Sequence, residues 1–366
     1  MALLDHDPAT VEADELAAAI RSAGVAGAGG AGFPAAAKWD RVDDVDAVLI
    51  NHQESEPNFL KDRHLGRARA EELATLIDWL LDGVVSTVVV GTKASYRGVW
   101  LGSLEAETDA TVMSPDELPL DVATAPDVVI ACTEDRYEFG MESVLLRTVA
   151  DVTIGSDLPL DHGWLVQNTE SMVNISRALA NEGPVIRKLV HVDGDTPRHR
   201  FLDVPVGTPA TTLLAEAGRP GGPGESEIIA DGGPGWSFEI EERPDRFGVR
   251  KRTNSLLIVD RELAAENTLG GSRINILGPQ AWKGRKFETE PARVEPPYVR
   301  IPLTTNDSIP IVERSEPLVE PGVTVEEGDR IADPAPEGIS NPQHASIDGR
   351  VTEVTESHVT IERRDS

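Results

Sequence analysis

The hexapeptide Gly27-Ala28-Gly29-Gly30-Ala31-Gly32 carries four glycines. Backbone free of Cβ atoms lets N–H groups approach an anion or a flat ring. Phe33, Pro34, Lys38 and Trp39 follow, and a short apolar run over 47–50 ends in Asn51-His52-Gln53-Glu54-Ser55-Glu56-Pro57. Polar and acidic side chains at the carboxyl end of a strand are where open α/β sheets bind ligands. The carboxylates there repel phosphate but suit hydroxyl and amide donors. Lys38 offers a cation to a phosphate or to an electron-rich ring edge. The chain has only seven lysines, so Lys38 is either a ligand group or simply one exposed lysine. The hexapeptide also satisfies G-x-G-x-x-G. That fingerprint, however, needs a strand before the glycines and a helix opening at them. A helical pattern precedes this loop and the first convincing strand follows it, which leaves a backbone cradle or a plain structural turn.

The elements that must position these residues alternate in type. Helical spacing is read at 10–23, 67–81, 101–107, 141–149 and 170–180, with a Thr and acidic residues opening the first. Short apolar runs at 47–51 (AVLIN), 86–90 (STVVV), 127–132 (DVVIAC) and 163–166 (GWLV) read as strands. This alternation implies βαβ units and a mostly parallel sheet. Beyond about residue 184 the texture changes. Stretches 185–192 and 200–206 are β-rich, 209–217 is a short helix, and Gly/Pro turns crowd in before the strand 255–260 (SLLIVD). Residues 261–297 form a polar stretch of little periodicity. Strands separated by Pro/Gly turns then follow at 309–312, 323, 330–332, 349–354 and 358–362, as expected of a compact all-β domain.

Composition narrows the chemistry. Among 366 residues, 63 Asp and Glu face 34 Lys and Arg, a formal charge of −29 spread through every segment. That field repels nucleic-acid backbones and anionic membranes. It reads either as an anionic docking surface or as a surface adapted to a high-salt, halophilic cytoplasm, where ions screen the self-repulsion. One cysteine excludes a disulfide framework and an all-cysteine iron–sulfur cluster within this chain; Cys132 itself, on an apolar strand, reads as core. The eight histidines show no paired metal spacing, and His52 stands beside the glycine-loop segment. No apolar run reaches membrane-helix length, and the start MALLDHDPATVEADE has neither a basic segment nor an apolar signal core, so a cytoplasmic protein without a transmembrane segment is expected.

Four segments in order carry a resemblance: GVAGAGGAGFPAAAKW (24–39), NHQESEPNFLKDR (51–63), RYEFGMESVLLR (136–147) and LVQNTESMVN (165–174). Together they resemble the FMN site of the NADH-binding flavoprotein subunit of respiratory complex I and of its relatives, the RnfC electron-transport subunit and the PduS cobalamin reductase. IIADGGPG (228–235) and VRKRTNSLLIVD (249–260) are similar to the family's soluble-ligand-binding β-grasp unit. The C-terminal segment beginning EPLVEPGVTVEEGDRIADP resembles its barrel-sandwich, lipoyl-like domain. The turn Ala345-Ser346-Ile347-Asp348-Gly349 lacks the lysine of a swinging arm and so implies a structural or docking role.

The resemblance implies a multidomain α/β protein. Residues 1–183 would be a Rossmann-like FMN/NADH-binding domain with a mostly parallel sheet, 184–260 a small α+β β-grasp module, 261–300 a linker replacing the iron–sulfur region, and 301–366 the barrel-sandwich hybrid domain. It places Gly27, Gly29, Gly30 and Gly32 under the flavin or near its phosphate. Lys38, Asn51, Glu54, Gln167, Asn168 and Ser171 would hydrogen-bond its ring and tail, and Phe33, Glu56 and Glu142 would face NADH. The implied activity is an NADH:acceptor oxidoreductase in which hydride passes from nicotinamide C4 to flavin N5, with no side-chain acid or nucleophile and no metal. Ala28, Gln53 and Met141 depart from the complex I pattern. No cysteine occupies 261–297, so electrons would leave to an acceptor or to an electron-accepting protein partner, with membrane association only through partners. The other reading is a noncatalytic scaffold that kept the fold after losing its clusters.

Overall fold

A computed structural model describes residues 2–280, 282 and 286–364. Its contacts separate into two compact units. The first holds Met1–Gly27, Ala35–Ser55 and Lys61–Gly183; the second holds Ala28–Pro34, Glu56–Leu60 and Pro184–Ser366.

In the first unit, β1 (Ala47–Asn51), β2 (Thr87–Lys93), β3 (Thr111–Met113), β4 (Val128–Thr133) and β5 (Trp164–Asn168) form a five-stranded sheet in the order β3-β4-β2-β1-β5. Every pairing is parallel. A parallel sheet is covered on both faces, which is why its inner strands are continuous apolar runs rather than alternating ones. The helices supply that cover: α1 (Ala13–Ser22), α2 (Ala36–Trp39), α3 (Lys61–Ala68), α4 (Ala70–Leu81), α5 (Gly102–Thr108), α6 (Glu142–Ala150) and α7 (Thr169–Leu179). Leu73, Leu76, Ile77 and Leu80 recur at helical spacing on α4 and are all buried. The core beneath α6 joins Leu49, Val89, Val129, Leu145, Leu146, Val149 and Val166. Gly91 on β2 makes room for it, since a Cβ there would lie 2.9 Å from a Leu145 methyl group.

The chain reaches β2 on one side of β1 and β5 on the other. The carboxyl ends of β1 and β5 therefore flank a topological switch point, the usual binding crevice of open α/β sheets. The element before the glycine loop is α1, and the first strand is β1, after it. The strand a dinucleotide fingerprint needs ahead of Gly27 is not there.

Some elements differ from expectation. The first helix begins at Ala13, and Thr10 instead ends a 3-10 turn, Pro8–Thr10. The helix read at 67–81 is two helices that break at Arg69, whose φ of −127° leaves the helical region. The second strand runs on to Lys93. Cys132 is buried in β4 as expected, and burial pushes its thiol up.

The second unit contains a six-stranded mixed sheet. Its strands are β6 (Arg187–Gly194), β7 (Arg200–Pro205), β8 (Glu227–Gly233), β9 (Trp236–Glu239), β10 (Ser255–Asp260) and β11 (Ala292–Arg293), in the order β11-β7-β6-β10-β8-β9. Val190, Leu202, Val204, Leu256 and Ile258 pack with α8 (Ala210–Glu216) on one face. The opposite face of β8 and β10 is covered by Ala264, Ile274, Ile276 and Trp282. Residues 261–297 are thus not featureless: α9 (Arg261–Glu266), the apolar residues just named and β11 build onto this sheet. Their apolar positions are too widely spaced to register as a period.

A four-stranded sheet and a three-stranded sheet complete this unit. The first is ordered β12 (Tyr298–Pro302), β18 (His358–Arg363), β17 (Gly349–Val354), β14 (Thr324–Val325); the second is β13 (Glu316–Pro317), β15 (Arg330–Asp333), β16 (Gln343–His344). Val299, Ile301, Ile331, Ala345, Ile347, Val351, Val359 and Ile361 share one core. The strand expected at 309–312 is a turn, with a single bridge from Val312 to Ile339. β12 went unread because prolines bracket it. Ala345, Ser346 and Ile347 are fully buried, and the Ser346 hydroxyl donates to Val206 O at 2.6 Å. This turn is packed rather than displayed.

Candidate functional site

The residues singled out from the sequence fall into two groups, one in each unit. In the first unit the parallel register sets Asn51 opposite Asn168 and Ile50 opposite Gln167. Three polar residues therefore stand at the carboxyl ends of β1 and β5. Asn51 Nδ2 donates to Gly140 O at 2.9 Å. Gly140 must be glycine here, because a Cβ would run into Ser55 Oγ. Lys38 Nζ donates to Val166 O at 3.1 Å and to Glu142 Oε2 at 3.2 Å, with both side chains part-exposed. Gln167 is only 5% exposed, and its Nε2 has no hydrogen-bond partner among the described residues. A buried amide donor left unmatched costs about 1–3 kcal/mol, so it calls for an acceptor. Ser171 is fully buried on α7.

Glu54 and Asn168, also expected flavin contacts, are engaged at helix starts. The Glu54 carboxylate accepts from the backbone N–H of Asp62 at 2.9 Å and from Arg63 Nε at 2.7 Å. It caps the start of α3 and sits in the left-handed region at φ +44°. Burial raises its pKa, against the pull of Arg63. Asn168 Nδ2 donates to Asp62 Oδ2 at 2.8 Å, while its Oδ1 accepts from Glu170 N at 3.0 Å and so caps α7.

Behind these caps lies a buried ionic group that the sequence did not announce. Lys61 Nζ, 1% exposed, donates to Asp62 Oδ1 and to Glu170 Oε2, each at 3.0 Å. Burial disfavours the ammonium, but the two carboxylates outweigh it and its pKa is raised. For Asp62 burial pushes upward, and Lys61 overrides it, holding the carboxyl below its usual range. His52 Nδ1 lies 2.9 Å from Thr169 Oγ1, and burial lowers the imidazole to about 4. Gln53 Nε2 donates to Thr133 Oγ1 at 3.0 Å. The available signal was LKDR after the Glu-rich turn, a scarce lysine flanked by acid.

In the second unit, the loop residues Ala28–Pro34 include Gly30 at φ +113° and Gly32 at φ +64°. At Gly32 a Cβ would meet Thr305 O at 2.7 Å and Arg252 Cδ at 3.0 Å. Asn306 Nδ2 donates to Ala31 O at 2.7 Å. Gly29 is exposed, Gly30 and Phe33 half-buried; Gly27, also half-buried, belongs to the first unit. Glu56 is 7% exposed, and its Oε2 accepts from Gly235 N at 2.8 Å.

Residues 20–177 match the model of the Nuo51 FMN-binding domain. Cobalamin reductase PduS of Salmonella typhimurium is 30% identical over 256 residues, spanning 69% of this chain and 51% of that protein. One component of the ion-translocating oxidoreductase complex of Vibrio cholerae is 28% identical over 245 residues, 66% of this chain and 29% of that protein. The chain spans about half the length of the cobalamin reductases it matches. A crystal structure of NAD+-reducing [NiFe]-hydrogenase in the H2-reduced state shares the fold at a TM-score of 0.54 and 21% identity, covering 72% of this chain and 49% of that one. Residues 20–177 are a Nuo51-type FMN-binding domain, carried on a chain homologous to cobalamin reductase PduS and to that component of the ion-translocating oxidoreductases.

Proposed function

We propose that this chain is an FMN-dependent oxidoreductase module that takes electrons from NADH and passes them to a partner protein or other acceptor. Gln167 carries the reading. It is a buried amide donor without a partner among the described residues, set at the switch point of a Nuo51-type sheet beside the Lys38 ammonium. A donor on β5 and a cation that reaches the same strand from α2 suit an acceptor-rich planar ring, and the residues present therefore fit FMN. Bound FMN would supply the hydride-accepting chemistry. Gln167 and Lys38 would orient the ring through its acceptor edge, Ser171 and Asn51 would serve its polar periphery, and Glu142 would hold Lys38 in place. Gly27, Gly29, Gly30 and Gly32 are the proposed backbone cradle. Glu56 and Glu142 would accept from nicotinamide-nucleotide donors, with Phe33 as a stacking face. Glu54 and Asn168 support the site by capping α3 and α7 rather than by touching the ring.

On the same reading, residues 184–260 act as the β-grasp module and 301–366 as the barrel-sandwich domain. Residues 261–300 stand where relatives place clusters and contain no cysteine, so electrons leave through a partner within a larger assembly in the cytoplasm. Among the described residues no helix is long and apolar enough to cross a membrane. A second reading, a noncatalytic scaffold, is favoured by Met141, 41% exposed where the family's first paired glutamate stands.

An absorbance titration separates the two. Anaerobic protein reconstituted with FMN should show a flavin band that NADH bleaches. Protein that takes up no FMN, or whose band NADH leaves unchanged, defeats the first reading.

A further inference from the structure

We propose that the β8–β9 hairpin at Asp231–Gly235 orients the carboxylate of Glu56, and that Gly233 and Gly235 are positioning residues for what Glu56 presents to a reduced nicotinamide. This rests on the role given to Glu56 above. The turn joins β8 to β9, with Gly233 paired to Trp236. Its residues divide the labour. Gly232 sits at φ +128°, where a Cβ would run into Trp236 O, so it serves the bend itself. Gly235 supplies the N–H that Glu56 Oε2 accepts at 2.8 Å, and Pro234 before it stiffens the approach.

Gly233 serves the side chain. A Cβ there would run into Glu56 Cγ and Cδ and lie 2.6 Å from Oε2. Those atoms are the far end of a flexible side chain, and Gly233 is not among the glycines at positive φ. Alanine at 233 therefore needs no left-handed backbone, and the three atoms nearest its Cβ all belong to the Glu56 side chain. The space at this glycine fixes where the acid group lies, not whether the turn forms. A charge-assisted hydrogen bond to a rigid backbone donor then holds it there.

The test uses the full chain carrying Gly233→Ala, Glu56→Ala or both. With FMN bound, Gly233→Ala should leave flavin affinity unchanged, raise KM for NADH roughly tenfold and move kcat by less than about twofold, the pattern of lost substrate binding. A KM matching that of the parent overturns the proposal. Thermal midpoints supply a readout that does not depend on NADH. Gly233→Ala should lower the midpoint when Glu56 is present and leave it unchanged in the Glu56→Ala background, because the atoms it strikes are gone. Equal losses in both backgrounds overturn the contact. If NADH fails to bleach the parent's flavin, the functional reading falls, and the midpoints alone decide whether the turn sets Glu56.

Discussion

Gln167 and Glu54 show how differently two polar residues at the edge of one sheet can be used. Gln167 has a buried donor with no partner among the described residues, whereas both oxygens of Glu54 accept from the start of α3. Replacing Gln167 by leucine removes a costly buried amide and keeps the volume. Gln167→Leu should hold or raise the thermal midpoint while weakening FMN binding by roughly ten- to a hundredfold, the worth of one buried hydrogen bond; fluorescence titration of FMN with the variant measures it. Unchanged affinity would remove Gln167 from the site. His52 gives a pH signature. Its ring is packed against Gly66 of α3, where a Cβ would lie 2.6 Å from Cε1, and burial lowers its pKa to about 4. Between that value and the unfolded value of about 6.5, the unfolded chain binds the proton and the folded chain does not, so stability is full above the upper limit and declines as pH falls through this window. His52→Gln should flatten the loss of midpoint between about pH 6.5 and about pH 4.5 in thermal melts, and a slope unaltered by the substitution would assign the loss to other groups.

Among the secondary-structure elements, the sheet of the first unit depends on how α6 lies across β2. Leu145 fills the space that Gly91 opens and is fully buried among Leu49, Val89 and Val129. Leu145→Ala should cost about 2–5 kcal/mol, the transfer loss plus the cavity left behind. Denaturant melts monitored by circular dichroism report this directly. Because α6 also carries Glu142 at its first turn and follows Gly140, which accepts from Asn51, the same variant should weaken FMN retention more than its global loss of stability explains. A site indifferent to the packing of α6 would show stability and retention falling in proportion.

The whole molecule carries a formal charge of −29 spread along its length. Many acidic residues are paired locally, as Glu295 is with Arg293 and Arg363, but the excess has no counter-charge within the chain. Self-repulsion of that size is screened as the Debye length shrinks from about 10 Å at 0.1 M salt to about 3 Å at 1 M. The thermal midpoint should therefore climb by several degrees on raising KCl from about 0.1 M to about 1 M, with most of the gain at the low end. A midpoint that falls over this range would show that specific ion pairs outweigh the net field. Chloride and sulfate salts compared at equal ionic strength distinguish screening from preferential exclusion.

Local elements and family membership were legible in the order of the amino acids alone. Apolar runs such as AVLIN and DVVIAC read as strands, their alternation with helices implied a mostly parallel sheet, and helical spacing marked α4 and α7 to within a few residues. Four ordered segments carried the resemblance to the Nuo51 FMN-binding domain, the model that residues 20–177 match. How the polar groups are used emerged only from the folded chain. Glu54 and Glu56 stand two residues apart, yet one caps α3 in the first unit and the other is held by Gly235 in the second. Lys61 carried no separate signal of burial in the sequence, yet two carboxylates keep it charged in the interior. The apolar residues of 261–297 complete a sheet face without any period of their own. Periodicity reports only neighbours along the chain, whereas a buried charge, a cap or a shared core depends on partners distant in sequence, and those are fixed only when the chain closes on itself.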